Sequence, residues 1–375
     1  MIFKTPRKIL AIKLRALGDT LLMTAPLAEL RAAFPEAEIH VIVMQAWVPL
    51  LEGHPGIDRI TGFERNRNPA SRAKAVARLA LKLRREKYDC VVNFHASPSS
   101  STLGFATGAP VRAIHFHGHK DRNRYSTVVV PGKGMLKPII ERDMDVLRAL
   151  GLHVPAGRLP RLPLQDHEVG KARERMSALS MKGPVLGLGL AASRPTKSWP
   201  TERFAALAIR WIQKTEGSAL AFLAASEIEI AQAFLREVDE QLSSVAPEMR
   251  SAIRARLGVE VGLPLRLLGG MISQCSVFAG NDSGPKHMAV SVDTPTVTLF
   301  GPEHPFEWHP YPQEQHPYFF VEGLACRRDA DPGMPPWCGL DVCKEEQHQC
   351  MTRIGIDAVL DACERVSRTF VEPRP

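Results

Sequence analysis

The segment Gly280-Asn281-Asp282-Ser283-Gly284-Pro285-Lys286-His287 sets small and polar residues between an apolar run, Cys275 to Ala279, and a helix that the spacing predicts as far as Val292. A strand from Thr294 to Gly301 follows. At the carboxyl end of a parallel strand, a turn of this kind presents the amides of a helix N-terminus to an anion such as a diphosphate. Asp282 beside that anion suits sugar hydroxyls, and Ser283, Gly284 and Pro285 frame the amides. His287, in the first helical turn, is placed either to donate to a phosphate or hydroxyl or to serve the core. A simpler role is also open, in which Asp282 or Ser283 is an N-cap.

Two more loops carry chemistry. Gly18-Asp19 closes the turn after the opening apolar run and puts a carboxylate at a helix N-terminus. A general base is its natural role, because a carboxylate can take a proton from an attacking hydroxyl; helix capping is the alternative. The loop Ser193-Arg194-Pro195-Thr196-Lys197-Ser198-Trp199-Pro200 supplies hydroxyls and a lysine ahead of a helix starting at Thr201. There Lys197 suits the neutralisation of a diphosphate leaving group, with Ser193 and Thr196 hydrogen-bonding its oxygens. The competing reading is an exposed linker packed down by Trp199.

The elements that must position these loops alternate. A strand over Lys8 to Leu14 leads to a helix from Thr20 to Phe34, with strands at Glu38 to Met44, Tyr88 to Phe94 and Val111 to Phe116. A second cycle has strands at Pro184 to Leu190, Ser218 to Ala225 and Val277 to Asn281, and helices at Thr201 to Thr215, Ser226 to Leu242 and Pro264 to Gln274. Strands alternating with helices predict an α/β chain with parallel, doubly wound sheets. Pro155, Pro160 and Pro163 mark a linker before a short helix near Asp166 to Leu179. We therefore expect two Rossmann-like domains, residues 1–165 and 166–375, facing a central cleft.

Composition narrows the class. The 375 residues are 45% hydrophobic and 23% charged, ordinary for a soluble globular protein, and no apolar run approaches the length of a membrane span. A cytoplasmic protein is expected. The net charge of +8 is uneven: residues 59–87 hold ten Lys or Arg against two Glu. Within them Val76, Leu79, Ala80 and Leu83 have helical spacing, with Arg72, Lys74, Arg78, Lys82 and Arg85 off that stripe. This basic amphipathic helix is either a solvated face or a contact with an anionic membrane surface or phosphorylated acceptor. Nucleic acid is disfavoured, since aromatics make up 6% of the chain and no binding motif is present.

Several motifs invite a metal. Asp143-Met144-Asp145 falls in a helix, where side chains two apart diverge. Asp329-Ala330-Asp331 lies in a Pro-rich loop, and His115, His117 and His119 alternate ahead of Lys120, Arg122 and Arg124. For the last group a phosphate-contacting loop on the acceptor side is the better reading, and Arg65 and Arg67 are expected as further acceptor contacts. Cys326, Cys338, Cys343 and Cys350 crowd together with His348, leaving a structural metal site or a reduced cluster, while Cys90 and Cys275 read as core. Gly280-Asn281-Asp282-Ser283-Gly284 lacks the Gly-x-Ser-x-Gly order of a serine hydrolase.

The three loops together resemble the ADP-heptose:lipopolysaccharide heptosyltransferases, glycosyltransferases of family 9. The similarity is carried by Ile12-Lys13-Leu14-Arg15-Ala16-Leu17-Gly18-Asp19-Thr20 through Pro26, by Thr196-Lys197-Ser198-Trp199-Pro200, by Gly280 to Pro285 with His287, and by Leu299-Phe300-Gly301-Pro302. The Arg-rich segment after Gly56-Ile57-Asp58, and Lys87-Tyr88-Asp89, look most like the branch that adds the third core heptose. The resemblance implies a GT-B fold and an inverting transfer from ADP-heptose to the lipopolysaccharide inner core, with no cofactor or catalytic metal. It implies Asp19 as general base, Lys197 on the donor phosphates, Asp282 on the heptose and Glu227 on the donor ribose. It gives residues 1–165 to the acceptor and 166–375 to the nucleotide-sugar, and together with the basic helix it leads us to expect a cytoplasmic protein, peripheral at the inner face of the inner membrane. A different nucleotide-sugar donor, or a catalytically silent binding protein, are the alternatives; Asp19 together with Lys197 speaks against silence.

Overall fold

Ile9 to Ile12 have no exposed surface in β1 (Lys8–Lys13), the continuous apolar reading of a strand covered on both faces. The structure, a computed structural model, describes residues 5–64, 68–116, 123–132, 137–327, 338–345 and 347–370, apart from the side chains of Pro69 and Arg72. The chain divides into two compact units, Met1–Pro163 and Leu164–Pro375, two residues ahead of the boundary expected from the prolines.

In the first unit β1 is followed by α1 (Leu17–Leu22), α2 (Thr24–Ala33), β2 (Glu38–Met44) and β3 (Arg59–Phe63). Then come α3 (Pro69–Arg85), β4 (Cys90–Asn93), α4 (Pro98–Ala106), β5 (Val111–His115), β6 (Val128–Val130) and α5 (Ile139–Ala149). The six strands are parallel in the order β3-β2-β1-β4-β5-β6. The helix expected from Thr20 instead starts at Leu17 and is interrupted at Met23. Pro26 has no N–H to bond back to Leu22, which accounts for the break. Asp19 consequently lies inside the first turn of α1.

The second unit runs α6 (Asp166–Ala178), β7 (Val185–Gly189), α7 (Thr201–Thr215), β8 (Ser218–Leu223), α8 (Ile228–Gln241) and α9 (Pro247–Arg254). It continues with β9 (Leu257–Val261), α10 (Leu265–Ser273), β10 (Val277–Asn281), α11 (Gly284–Ser291), β11 (Thr296–Phe300) and α12 (Pro305–Trp308). It ends with β12 (Tyr318–Phe320), α13 (Gln349–Thr352) and α14 (Ile356–Phe370). Its parallel sheet has the order β12-β11-β10-β7-β8-β9. With β7 counted as first, that is the strand order of the first unit repeated. Phe204, Trp211, Phe234 and Val366 fill the core between this sheet and its helices.

In each sheet the chain reverses its winding between the first and fourth strands of the unit. Crevices at such a switch point, outside the carboxyl ends of the strands, are where ligands bind in open α/β sheets. The loops after β1 and β4 meet there in the first unit, and those after β7 and β10 in the second.

Candidate active site

The first unit builds its switch point from Asp19 and His95. A cavity of about 700 Å³ is lined by Arg15, Asp19, Trp47, Phe63, His95 and Ser97, among others. Asp19 is buried, with Oδ1 3.1 Å from Arg15 Nε and without a hydrogen-bond partner among the described residues. Burial, with Arg15 and Lys13 nearby, pushes the His95 imidazole down to about 4, so it is neutral at pH 7. Its Nδ1 also has no hydrogen-bond partner among the described residues. Trp47 at the rim donates to the Arg15 carbonyl at 2.9 Å. This apolar-walled cavity with a carboxylate and a neutral imidazole suits a hydroxylated ligand whose proton is to be removed.

Asp143 and Asp145 diverge on α5 as the spacing predicts. Asp143 meets Lys13 at 2.5 Å and His115 at 2.9 Å in the interior, while Asp145 meets Lys137 at 2.5 Å and Arg148 at 2.8 Å. Burial would raise the Asp143 carboxyl, but Lys13 and His115 hold it below the ordinary aspartate value. His115 ends β5, within the strand expected over Val111 to Phe116.

The second unit gathers Lys197, Asp282 and Lys286. Asn281 arranges this: its Nδ2 donates to the Leu190 carbonyl at 2.7 Å and its Oδ1 accepts from the Trp199 amide at 2.9 Å, so one side chain stitches both ends of the loop that carries Lys197. Trp199 is the buried anchor that the packing alternative required, edge-on to Phe204 with ring centroids 4.9 Å apart. Lys197 Nζ then lies 2.6 Å from Asp282 Oδ2, and Lys286 Nζ lies 2.6 Å from Asp282 Oδ1. Burial would raise the Asp282 carboxyl; Lys286 and Lys197 hold it far below the usual carboxylate range. Burial pulls the Lys286 ammonium below its ordinary value against the attraction of Asp282.

The simple capping role is not realised. Ser283 occupies the N-cap position of α11, yet its side chain makes no cap bond and its Oγ has no partner among the described residues. Gly284 and Pro285 open the helix beside it. Ser193 is exposed on the neighbouring loop, and Glu227 follows β8 with its carboxylate accepting from the Ala224 amide at 2.7 Å.

Two residues assigned to the donor have other work. Thr196 is buried and its hydroxyl donates to the Leu340 carbonyl at 2.6 Å, so it anchors the loop instead of reaching outward. His287 is buried against the Tyr311 hydroxyl, and burial drives its imidazole well below 6.5, which removes it as a donor of charge.

Cys326, Cys338, Cys343 and Cys350 are all free, and no three His, Cys, Asp or Glu side chains among the described residues converge enough to hold a metal. Burial pushes the Cys350 thiol up to about 11. Their segment backs the Lys197 loop: besides the Thr196 bond, His348 Nε2 lies 2.8 Å from the Thr196 carbonyl. Arg65, Arg67, Lys120, Arg122, His117, His119, Asp329 and Asp331 lie outside the described residues. Arg124 stacks on Tyr125 at 5.2 Å and is not among the residues lining the Asp19 cavity.

Three groups escaped sequence reasoning. His95 follows the apolar run ending at Phe94, and its strand-end position was the available signal. Trp47 gave none. Lys286 stands four residues after Asp282, the spacing of an ion pair on a helix, but a lysine there reads as solvent-facing.

The model of glycosyltransferase family 9 (heptosyltransferase) matches residues 76–326. Lipopolysaccharide heptosyltransferase 3 of Escherichia coli (strain K12) is 25% identical over 298 residues, 78% of this chain and 82% of that protein. A family 9 glycosyltransferase from Veillonella parvula has a similar structure, with a TM-score of 0.77 at 21% identity over 96% of this chain and 97% of the other. The E. coli ADP-heptose LPS heptosyltransferase II gives 0.74 at 22% identity, covering 96% and 98%.

Proposed function

Since the chain belongs to glycosyltransferase family 9 and has its GT-B fold, we propose that it transfers heptose from ADP-L-glycero-D-manno-heptose to the inner core of lipopolysaccharide. The reaction is a single inverting displacement. Asp19 takes the proton of an acceptor hydroxyl as that oxygen attacks the anomeric carbon, and the bond to ADP breaks on the opposite face. The leaving diphosphate is neutralised by Lys197 and the N-terminus of α11, a means of charge stabilisation that calls for no metal. Asp282 takes sugar hydroxyls, Ser283 supplies an unclaimed hydroxyl beside the diphosphate, and Glu227 faces the ribose. The acceptor occupies the Asp19 cavity, where Trp47 offers an aromatic face to a sugar ring.

The observation that carries the reading is the Lys197–Asp282 pair, 2.6 Å apart at the switch point of the second sheet. The named E. coli relatives act on lipopolysaccharide, and one takes ADP-heptose, which supports donor and acceptor class. The exposed basic side of α3 supports peripheral contact with an anionic membrane, where such an acceptor is anchored. Among the described residues no helix is long and apolar enough to cross a membrane.

The test is transfer from ADP-heptose to heptose-truncated lipopolysaccharide by the parent and by Asp19→Ala. Loss of a general base is expected to lower kcat by roughly 10²–10⁴-fold with ADP affinity retained. Full transfer by the variant removes Asp19 from the mechanism, and turnover with another nucleotide-sugar but not ADP-heptose retires the heptose assignment.

A further inference from the structure

The second unit keeps two ammonium groups on one carboxylate, and the two are not equivalent. Lys286 is fully buried, fixed one helical turn after Asp282 on α11, and its Nζ also donates to the Trp308 carbonyl at 2.8 Å and lies 4.9 Å from the Phe300 ring centroid. Lys197 has a side chain 12% exposed, stands on a three-residue turn, and has its ion pair among the described residues with Asp282 alone. Lys286 is therefore held from three sides, whereas Lys197 makes one direct ion pair, with the Glu303 carboxylate acting on it only at longer range, and reaches solvent.

An arriving diphosphate must draw a cation toward itself. If Lys197 were the sole partner of Asp282, moving it to the ligand would strand a buried carboxylate, and the carboxylate would compete with the diphosphate for the same ammonium. Neighbouring charges do not replace it, because Arg194 is already paired with Glu303 and His287 is neutral. We propose that Lys286 is a positioning residue that keeps Asp282 ionised and oriented, so that Lys197 can leave the carboxylate and pair with the diphosphate of a nucleotide-sugar. The cluster works as a cation exchange: Asp282 passes from two ammonium partners to one, and the diphosphate gains the one released. This inference rests on the reading that the second unit takes a nucleoside diphosphate sugar.

Affinity for ADP, measured by calorimetry on the full chain, separates exchange from a structural role because the variants move in opposite directions. Lys286→Gln is expected to weaken ADP binding about tenfold, since Asp282 then retains Lys197. Asp282→Asn removes the competitor and is expected to bind ADP at least as tightly as the parent while losing transfer. The double variant Asp282→Asn/Lys286→Met removes the buried charges together, so it is expected to fold even where a single change does not, and to bind ADP like the parent. A folded Lys286→Gln that binds ADP within twofold of the parent overturns the proposal. So does weakening of the double variant, or of folded Asp282→Asn, as severe as that expected for Lys286→Gln. If the parent prefers UDP or GDP to ADP, the donor assignment fails and the same comparison is made with that nucleotide. Failure of the parent to bind any nucleoside diphosphate or inorganic pyrophosphate overturns both.

Discussion

Gly280 shows how closely the approach to Asp282 is built. A Cβ added there would lie 2.8 Å from the Gly189 carbonyl oxygen and 3.0 Å from its Cα, backbone atoms of the neighbouring strand that cannot swing aside. Gly280→Ala is expected to cost about 1–3 kcal/mol of stability through strain between β7 and β10. It is also expected to lower transfer, because Asp282, which takes the sugar in the proposed reaction, is two residues on; denaturant unfolding and the transfer assay check the two effects, and an unstrained, fully active variant refutes the argument. Residues of this kind were partly legible. Asp19, Lys197 and Asp282 stood out because each sits in a short polar break between a strand and a helix. Thr196 and His287 misled because a residue type announces what a side chain can bond, not which partner has already claimed it. Lys286 stayed hidden for the opposite reason: nothing in one sequence says that a lysine is fully buried.

Among elements, the central strands were plain and the edges were not. β1, β2, β7 and β10 are apolar runs with buried backbone, whereas β3 contains Arg59 and Gly62, and β6 and β12 are three residues each. Such edges take shape from the strand beside them more than from their own composition. α14 was missed although Val359, Leu360, Cys363 and Val366 repeat at helical spacing and bury against the second core, so the signal was present and unread. α3 behaves as its pattern promised, capped by Asn68 at Ala70 and Ser71, with Lys74, Arg78, Lys82 and Arg85 exposed. Leu81 protrudes among them with 65% of its surface exposed. Reversing these four charges to Glu is expected to abolish sedimentation with phosphatidylglycerol vesicles at physiological salt, each basic group contributing about 1 kcal/mol near an anionic surface. Unchanged sedimentation would return α3 to the role of a solvated face.

The whole molecule repeats one design, two parallel sheets with the same strand order, and each opens its switch point to polar residues. That doubling was legible from the alternation of elements. The buried imidazoles that accompany it were not. Burial holds His95 and His316 down to about 4 and His309 down to about 3, all against 6.5 in the unfolded chain. Below about pH 6.5 the unfolded chain therefore takes up protons that the folded chain refuses, and stability falls as pH falls toward 4. Asp282 does not disturb this window, because its lowered carboxyl gives up its contribution only in stronger acid. Between pH 7.5 and pH 5 the loss is expected to be on the order of 1–2 kcal/mol per buried histidine. Thermal unfolding at the two pH values checks it, and a midpoint independent of pH would mean that these rings are wetter than their packing indicates.

The double hydrogen bond of Asn281 has a final consequence. By tying Leu190 to Trp199 it meets the entropy of ordering their loop once, during folding, and not again at each encounter with a ligand. In the reaction proposed above, a nucleotide would meet Lys197 on a loop already set in place and would have little disorder left to suppress.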